Sequence, residues 1–213
     1  MKTNRYITAS ILLIFLSLLI GLGFYNQFPD FVASHWDIEG KVNGYMSKFW
    51  GVFLMPFISL ILLIILLIVP KLDPLNKNVE GFKNYFYKFI FILIAFLLYV
   101  HLLTLGWNLG YEFNMNCFIA PAFGILFYFI GILLENSKQN WSIGIRTPWT
   151  LSNEKVWDKT HKLGGKVFKV GALLISLGVF FPNIFFPFML FSVLFFVIFS
   201  FGYSYYIYNK EKK

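Results

Sequence analysis

The sequence predicts an all-α, polytopic membrane protein, a six-helix transmembrane bundle with its N and C termini in the cytoplasm. Three observations carry that reading. Of the 213 residues 58% are apolar and 13% are charged, about half the charged share of roughly 25% found in soluble domains, so the apolar side chains must face something other than water. They gather in six runs, 7–24, 49–69, 85–107, 117–134, 167–181 and 184–208, most of them close to the ~20 residues of helix that cross a hydrocarbon core about 30 Å thick. The third observation is the lysine and arginine bias: 16 of 18 fall in the N-terminus, the C-terminus and alternate loops, leaving Lys41 and Lys48 on the other side. Positive loops stay on the side of synthesis.

The first run follows Lys2 and Arg5. It exceeds the roughly 7 to 15 apolar residues of a secretory signal and no small-x-small cleavage site follows it, so a retained span is expected. The loop 25–48 then crowds His35, Trp36, Asp37 and Glu39 between turn formers that include Gly40 and Asn43-Gly44. In an extended strand His35, Asp37 and Glu39 would share one side, a three-ligand arrangement that competes with a plain solvated loop whose Trp36 rests on the membrane surface. No bound metal or cofactor is expected. Pro56 and Pro121 lie one or two turns into the second and fourth runs and mark helix starts.

No Asp, Glu or Arg falls inside the six runs, and Lys88 and Lys169 sit near run ends, where long side chains reach the interface. Packing in lipid depends on small residues; Gly106 with Gly110, Ala120 with Gly124, and Gly164, Gly171 and Gly178 supply such pairs. The fifth run is the weakest. Before it, the inner loop 135–166 suggests a short helix capped by Ser152, ended by Gly164-Gly165 and lying along the membrane surface, with Lys155, Lys159, Lys162 and Lys166 on one face and Val156, Thr160 and Leu163 on another. Glu154, Asp158 and His161 align at helical spacing and are expected to pair with the neighbouring lysines. Arg146, before Thr147-Pro148-Trp149, is placed to fork onto a carbonyl, a carboxylate or a lipid phosphate. Tyr203, Tyr205, Tyr206 and Tyr208 form an aromatic anchor at the inner face.

These segments bound the chemistry. The net charge of +8 is mostly topology, so direct nucleic-acid binding is not expected. Cys117 is the single cysteine, which excludes an intramolecular disulfide and a cysteine-pair metal site. His35, His101 and His161 fall in different compartments or depths, and no HExxH pair or nucleophile with its base appears. An enzyme is therefore not expected. A small-molecule or ion transporter or channel is the competing class; it usually needs ionisable groups near mid-membrane, and His101 is the only titratable group of that kind.

At the two polar loops the sequence resembles the SdpI family of bacterial immunity proteins, named for protection against a secreted sporulation-delaying toxin. The inner loop carries Gly144, Ile145, Arg146, Thr147, Pro148, Trp149, Thr150, Leu151, Ser152, Val156, Trp157, Thr160, His161, Gly164 and Gly165. The outer loop resembles the domain of unknown function that usually precedes it through Pro29, His35, Trp36, Gly40, Gly44, Ser47 and Lys48, with Asn43 where relatives commonly carry Asp. The resemblance implies a multi-pass plasma-membrane protein, embedded in the lipid bilayer, that blocks a secreted antimicrobial peptide toxin. It also implies a relay in which a cytoplasmic transcriptional repressor is held at the membrane when toxin is present. On that reading residues 1–70 form a helical pair with the outer loop and residues 71–213 four further spans with the cytoplasmic loop, within one membrane domain. The residues implicated are His35, Trp36, Gly40, Gly44, Lys48, Gly144, Arg146, Thr147, Pro148, Trp149, Trp157, Thr160, His161 and Gly164.

Overall fold

The computed structural model describes residues 5–212; Lys2 and Lys213 lie outside them. The chain forms α1 (Arg5–Phe24), a two-stranded hairpin of β1 (Phe31–Trp36) and β2 (Val42–Ser47), then α2 (Lys48–Ile68), α3 (Asn76–Asn108), α4 (Met115–Asn136), a single-turn α5 (Pro148–Ser152), α6 (Glu154–Ser176) and α7 (Pro182–Glu211). The helical membrane bundle is as expected, with the hairpin as an addition. Among the described residues five helices are long and apolar enough to cross a membrane: α1, α2, α3, α4 and α7.

α6 is not among these five. α6 runs antiparallel along α4 from end to end. Near its start the Trp157 Nε1–H donates to the Ser137 carbonyl just past α4 (3.1 Å), and from its second half Lys169 pairs with Glu135 at 2.7 Å. At mid-length Gly131 and Gly165 meet, a Cβ on Gly165 falling 2.6 Å from the Gly131 carbonyl. Farther along, Gly124 lies against Ser176 and Ala172, and Gly178 against Ala120. Beyond α6 the Asn116 Nδ2–H, in the first turn of α4, donates to the Pro182 carbonyl (3.1 Å). α6 is thus matched to α4 at both ends.

This geometry revises several expectations. The surface helix and the fifth span are one continuous helix, so Gly164 and Gly165 sit inside α6 as packing positions. Its N-cap is Asn153, whose side chain accepts from the Val156 N–H (3.2 Å), while Ser152 closes α5. The lysine face is exposed and Val156 and Thr160 are buried as expected. However, Lys155 and Lys159 reach across to Glu211 at the end of α7 (3.8 and 2.5 Å), not to Glu154 or Asp158. Gly106, Gly110 and Gly171 have open space around them, and Gly110 ends α3 with φ +97°. Pro56 and Pro121 lie inside α2 and α4.

At 33 residues α3 is about 50 Å long and overshoots the hydrocarbon core. It joins two apolar clusters. Ile14, Leu63, Phe82, Phe86, Ile90, Ile94 and Leu133 pack α1–α4 toward one end, and Phe28, Val32, Val52, Phe53 and Leu105 pack beneath the hairpin at the other. A third, Ala120, Ile175 and Phe185, ties α4 to α6 and α7.

Candidate functional site

The residues singled out in the sequence fall into two seats at opposite ends of the bundle. The loop between α4 and α6 builds the first. Thr147 and Thr150 form a capping box around α5: the Thr147 Oγ1 accepts from the Thr150 N–H (3.2 Å) and the Thr150 Oγ1 from the Thr147 N–H (2.9 Å). Pro148 fills the first helical position, where its missing donor costs nothing. The Thr147 hydroxyl also donates to Ser204 of α7 (3.0 Å), and Trp149 lies against Phe201 and Tyr205.

Beneath α5, Trp157 and His161 stack with ring centroids 3.9 Å apart. The Ile145 N–H donates to His161 Nε2 (2.8 Å), and the His161 Nδ1–H donates to the Trp157 carbonyl (2.9 Å). One ring nitrogen must accept and the other donate, so the imidazole is neutral. In this part of α6, ahead of its apolar run, burial pushes the His161 pKa down from 6.5 to about 4, against a smaller upward pull from the Trp157 carbonyl. Gly144 is needed directly above: its φ is +124° and a Cβ there would sit 2.5 Å from His161 Nε2. Gly164 admits the Ile145 side chain, whose Cδ1 would lie 2.7 Å from an added Cβ. The Thr160 hydroxyl is fully buried and finds no partner among the described residues. Arg146 is exposed and donates from Nη1 to the Trp141 carbonyl (2.8 Å), one of the roles expected for it.

Residues that sequence reasoning passed over hold this seat. Asp73, 4% exposed, accepts from the Leu75 N–H (2.8 Å), the Trp141 N–H (2.9 Å) and the Ser142 hydroxyl (2.5 Å). Asn140 donates to the Lys138 and Ile143 carbonyls and accepts from the Ser142 and Ile143 amides. Gln139 donates to the Thr150 and Leu151 carbonyls, and Asn78 at the inner end of α3 donates to the Gln139 carbonyl. The available signal was their place, polar side chains just beyond the ends of apolar runs.

The hairpin forms the second seat. β1 and β2 pair antiparallel from Phe31↔Ser47 to Trp36↔Val42 with two register shifts around His35. The turn lies at Asp37–Lys41, where the Asp37 N–H donates to the Lys41 carbonyl (2.8 Å), so Asn43 and Gly44 belong to β2 and not to a turn. β1 ends at Trp36, which separates the three supposed ligands. Asp37 Oδ1 accepts from the Glu39 and Lys41 amides, Glu39 pairs with Lys41 at 2.8 Å, and His35 Nδ1 meets the Asn43 side chain. No cluster of three His, Cys, Asp or Glu that could hold a metal occurs among the described residues. Trp36 packs edge-on against Trp107 of α3, centroids 6.0 Å apart. Lys48 stands 3.8 Å from Asp30 and over the Tyr25 ring. Gly44 accommodates the His35 Cβ, and Gly40, at φ +79°, lies against Asn114.

Three asparagines, also unflagged by sequence, fasten the hairpin to the helices. Asn108 accepts from the Ala33 N–H (2.7 Å) and donates to the Ala33 carbonyl (3.0 Å). Asn114 donates to the Glu39 carbonyl (3.0 Å) and Asn116 to the Ile38 carbonyl (2.9 Å).

The two seats coincide with the segments by which the chain is related to known proteins. Residues 12–60 match a domain of unknown function, DUF1648. Over 174 residues the chain is 28% identical to the protein named Immunity protein SdpI of Bacillus subtilis (strain 168), covering 82% of this chain and 81% of that one. No solved structure matches it significantly. Residues 136–204 of this multi-pass plasma-membrane protein, with the 137–153 loop, α5, α6 and most of α7, match the SdpI/YfhL protein family.

Proposed function

We propose that the protein is an integral-membrane immunity protein that protects its host cell against a secreted peptide toxin. The observation that carries this reading is the similarity to a protein named for immunity, which extends over 82% of the chain. The lysine bias puts the hairpin outside and the 137–153 loop inside. On that orientation the hairpin is the toxin-facing surface. Its Phe31, Ile38 and Tyr45 side chains are exposed, although asparagine clamps hold its backbone, and a rigid platform with protruding apolar groups suits an amphipathic peptide. The inner seat, with the exposed lysine face of α6, is the surface on which a cytoplasmic repressor is held when toxin is bound.

The test is expression of the chain in toxin-sensitive cells. Growth and membrane potential should be preserved in the presence of toxin. Loss of protection on Tyr45→Asp, with the protein still in the membrane, would assign the contact to the hairpin. Absence of protection against any related peptide would leave immunity unsupported. For the relay, a fluorescent repressor should move to the membrane on toxin addition and fail to do so in Arg146→Ala. The transport reading rests on His101, which is fully buried with neither ring nitrogen bonded among the described residues. Substrate- or ion-dependent flux in proteoliposomes that is lost in His101→Ala would favour transport over immunity.

A further inference from the structure

At the inner end of the bundle a cleft of about 400 Å³ opens between α3, α4, α6, α7 and the loop before α5. Its walls are apolar, with Phe89, Ile130, Phe168 and Phe196 among them, while Arg146 and Thr147 lie at its loop end. Phe168 lies seven residues past His161 on α6, so the cleft reaches about 10 Å from the loop toward the bilayer interior. Val197 and Phe201, on its α7 side, are half exposed, and in a membrane that flank faces lipid.

Two polar groups in this apolar setting have work left to do. The exposed Arg146 guanidinium carries five N–H donors; one goes to the Trp141 carbonyl, and no carboxylate among the described residues pairs with it. Ser200, which also lines the cleft, has a buried hydroxyl without a partner among the described residues, and buried hydroxyls are normally satisfied. A cation at the mouth, an apolar bore open to lipid and a hydroxyl part-way along complement an anionic head, a hydrocarbon chain and the ester oxygens between them.

We propose that this cleft is a binding site for one acidic phospholipid of the inner leaflet, its phosphate on Arg146 and one acyl chain in the cleft, with Ser200 donating to an ester oxygen. The guanidinium's planar fork suits a phosphate. The neighbouring apolar groove across the Phe168–Phe196 pair carries Lys166 instead and serves as the internal control, because an ammonium in general surface attraction should matter as much as Arg146 whereas a built site should single out the arginine.

The experiment uses the full chain in phosphatidylcholine vesicles containing phosphatidylglycerol, with brominated acyl chains on one lipid or the other and tryptophan quenching as the readout. Trp141 and Trp149 report locally, since Trp149 lies against Phe201 of the cleft wall. Brominated phosphatidylglycerol should quench at about fivefold lower mole fraction than brominated phosphatidylcholine, the weight of one basic side chain at an anionic lipid. Arg146→Gln should bring the two lipids to parity and Arg146→Lys should retain part of the preference, while Lys166→Gln leaves it intact. Arg146 is exposed, so its variants should fold, which unchanged unfolding temperature would verify. Equal quenching by both lipids, a preference that survives Arg146→Gln, or one lost equally in Lys166→Gln would overturn the proposal. Equal quenching with concentration-dependent self-association would instead assign the cleft to a second copy of the chain.

Discussion

The hairpin and the 137–153 loop meet the same problem, holding irregular backbone at the end of an apolar bundle, and solve it differently. The hairpin satisfies most of its backbone within itself and is tied down at separate points by Asn108, Asn114 and Asn116 from the helices. The loop has no strand pairing to rely on. Its backbone is satisfied by buried side chains of its own, of the connection before α3 and of α6, among them Asn140, Thr150, Asp73 and His161, each serving several partners or packed against another that does. Separate ties can be lost one at a time, whereas a shared buried network is expected to fail together.

The largest contrast should come from Gly144→Ala, which forces a side chain into a left-handed backbone and against His161. A loss of about 3 kcal/mol is expected, read as a fall in unfolding midpoint in detergent, and a near-neutral result would show that the loop can rearrange around His161. Asp73→Asn should follow at about 2 kcal/mol, because an amide has one acceptor oxygen where the carboxylate's two serve three donors; the same measurement checks it. Asn108→Ala should cost about 1 kcal/mol, expressed as faster hydrogen exchange at the Ala33 amide and its neighbours with little change in global midpoint. If Asn108→Ala unfolds the protein as readily as Gly144→Ala, the distinction between separate ties and a shared network is lost.

Acidification sharpens the comparison further. The folded pKa of His161 lies below its unfolded value, so the unfolded chain binds more protons in between. Its contribution is complete above pH 6.5 and is lost as pH falls toward about 4. Stability should decline over that window, and the decline should be reduced in His161→Gln. The smallest effect is expected at the exposed Lys159–Glu211 pair, where Lys159 holds the Glu211 carboxyl below its usual range. Glu211→Gln should leave the unfolding midpoint unchanged at moderate salt.

Several residues show how far the sequence could be read. The basic face of α6 was legible because Lys155, Lys159, Lys162 and Lys166 repeat at helical spacing, and the Ala120–Gly124 contact because small residues are where lipid-embedded helices approach. Gly106 and Gly110 fit the same pattern and touch nothing, since spacing records a face and not what lies opposite. The outer loop's strand character was hidden behind Asn43-Gly44, a turn signal overridden by the Asp37–Lys41 turn and by the asparagines of α3 and α4. Asp73 stands just beyond an apolar run, but its partners Trp141 and Ser142 lie 68 and 69 residues on and are brought near only by folding.

Composition, run length and lysine placement determined by themselves that this chain is a membrane bundle, and suggested which end faces the cytoplasm, because burial in lipid and retention of positive charge act on each segment separately. Tertiary structure decided that α6 runs the length of α4 despite its polar first turns, that His35, Asp37 and Glu39 part company, and that His161 stands neutral beneath Gly144. Those outcomes depend on which surfaces meet across the bundle, and contacts between distant segments are not written in the periodicity of either one.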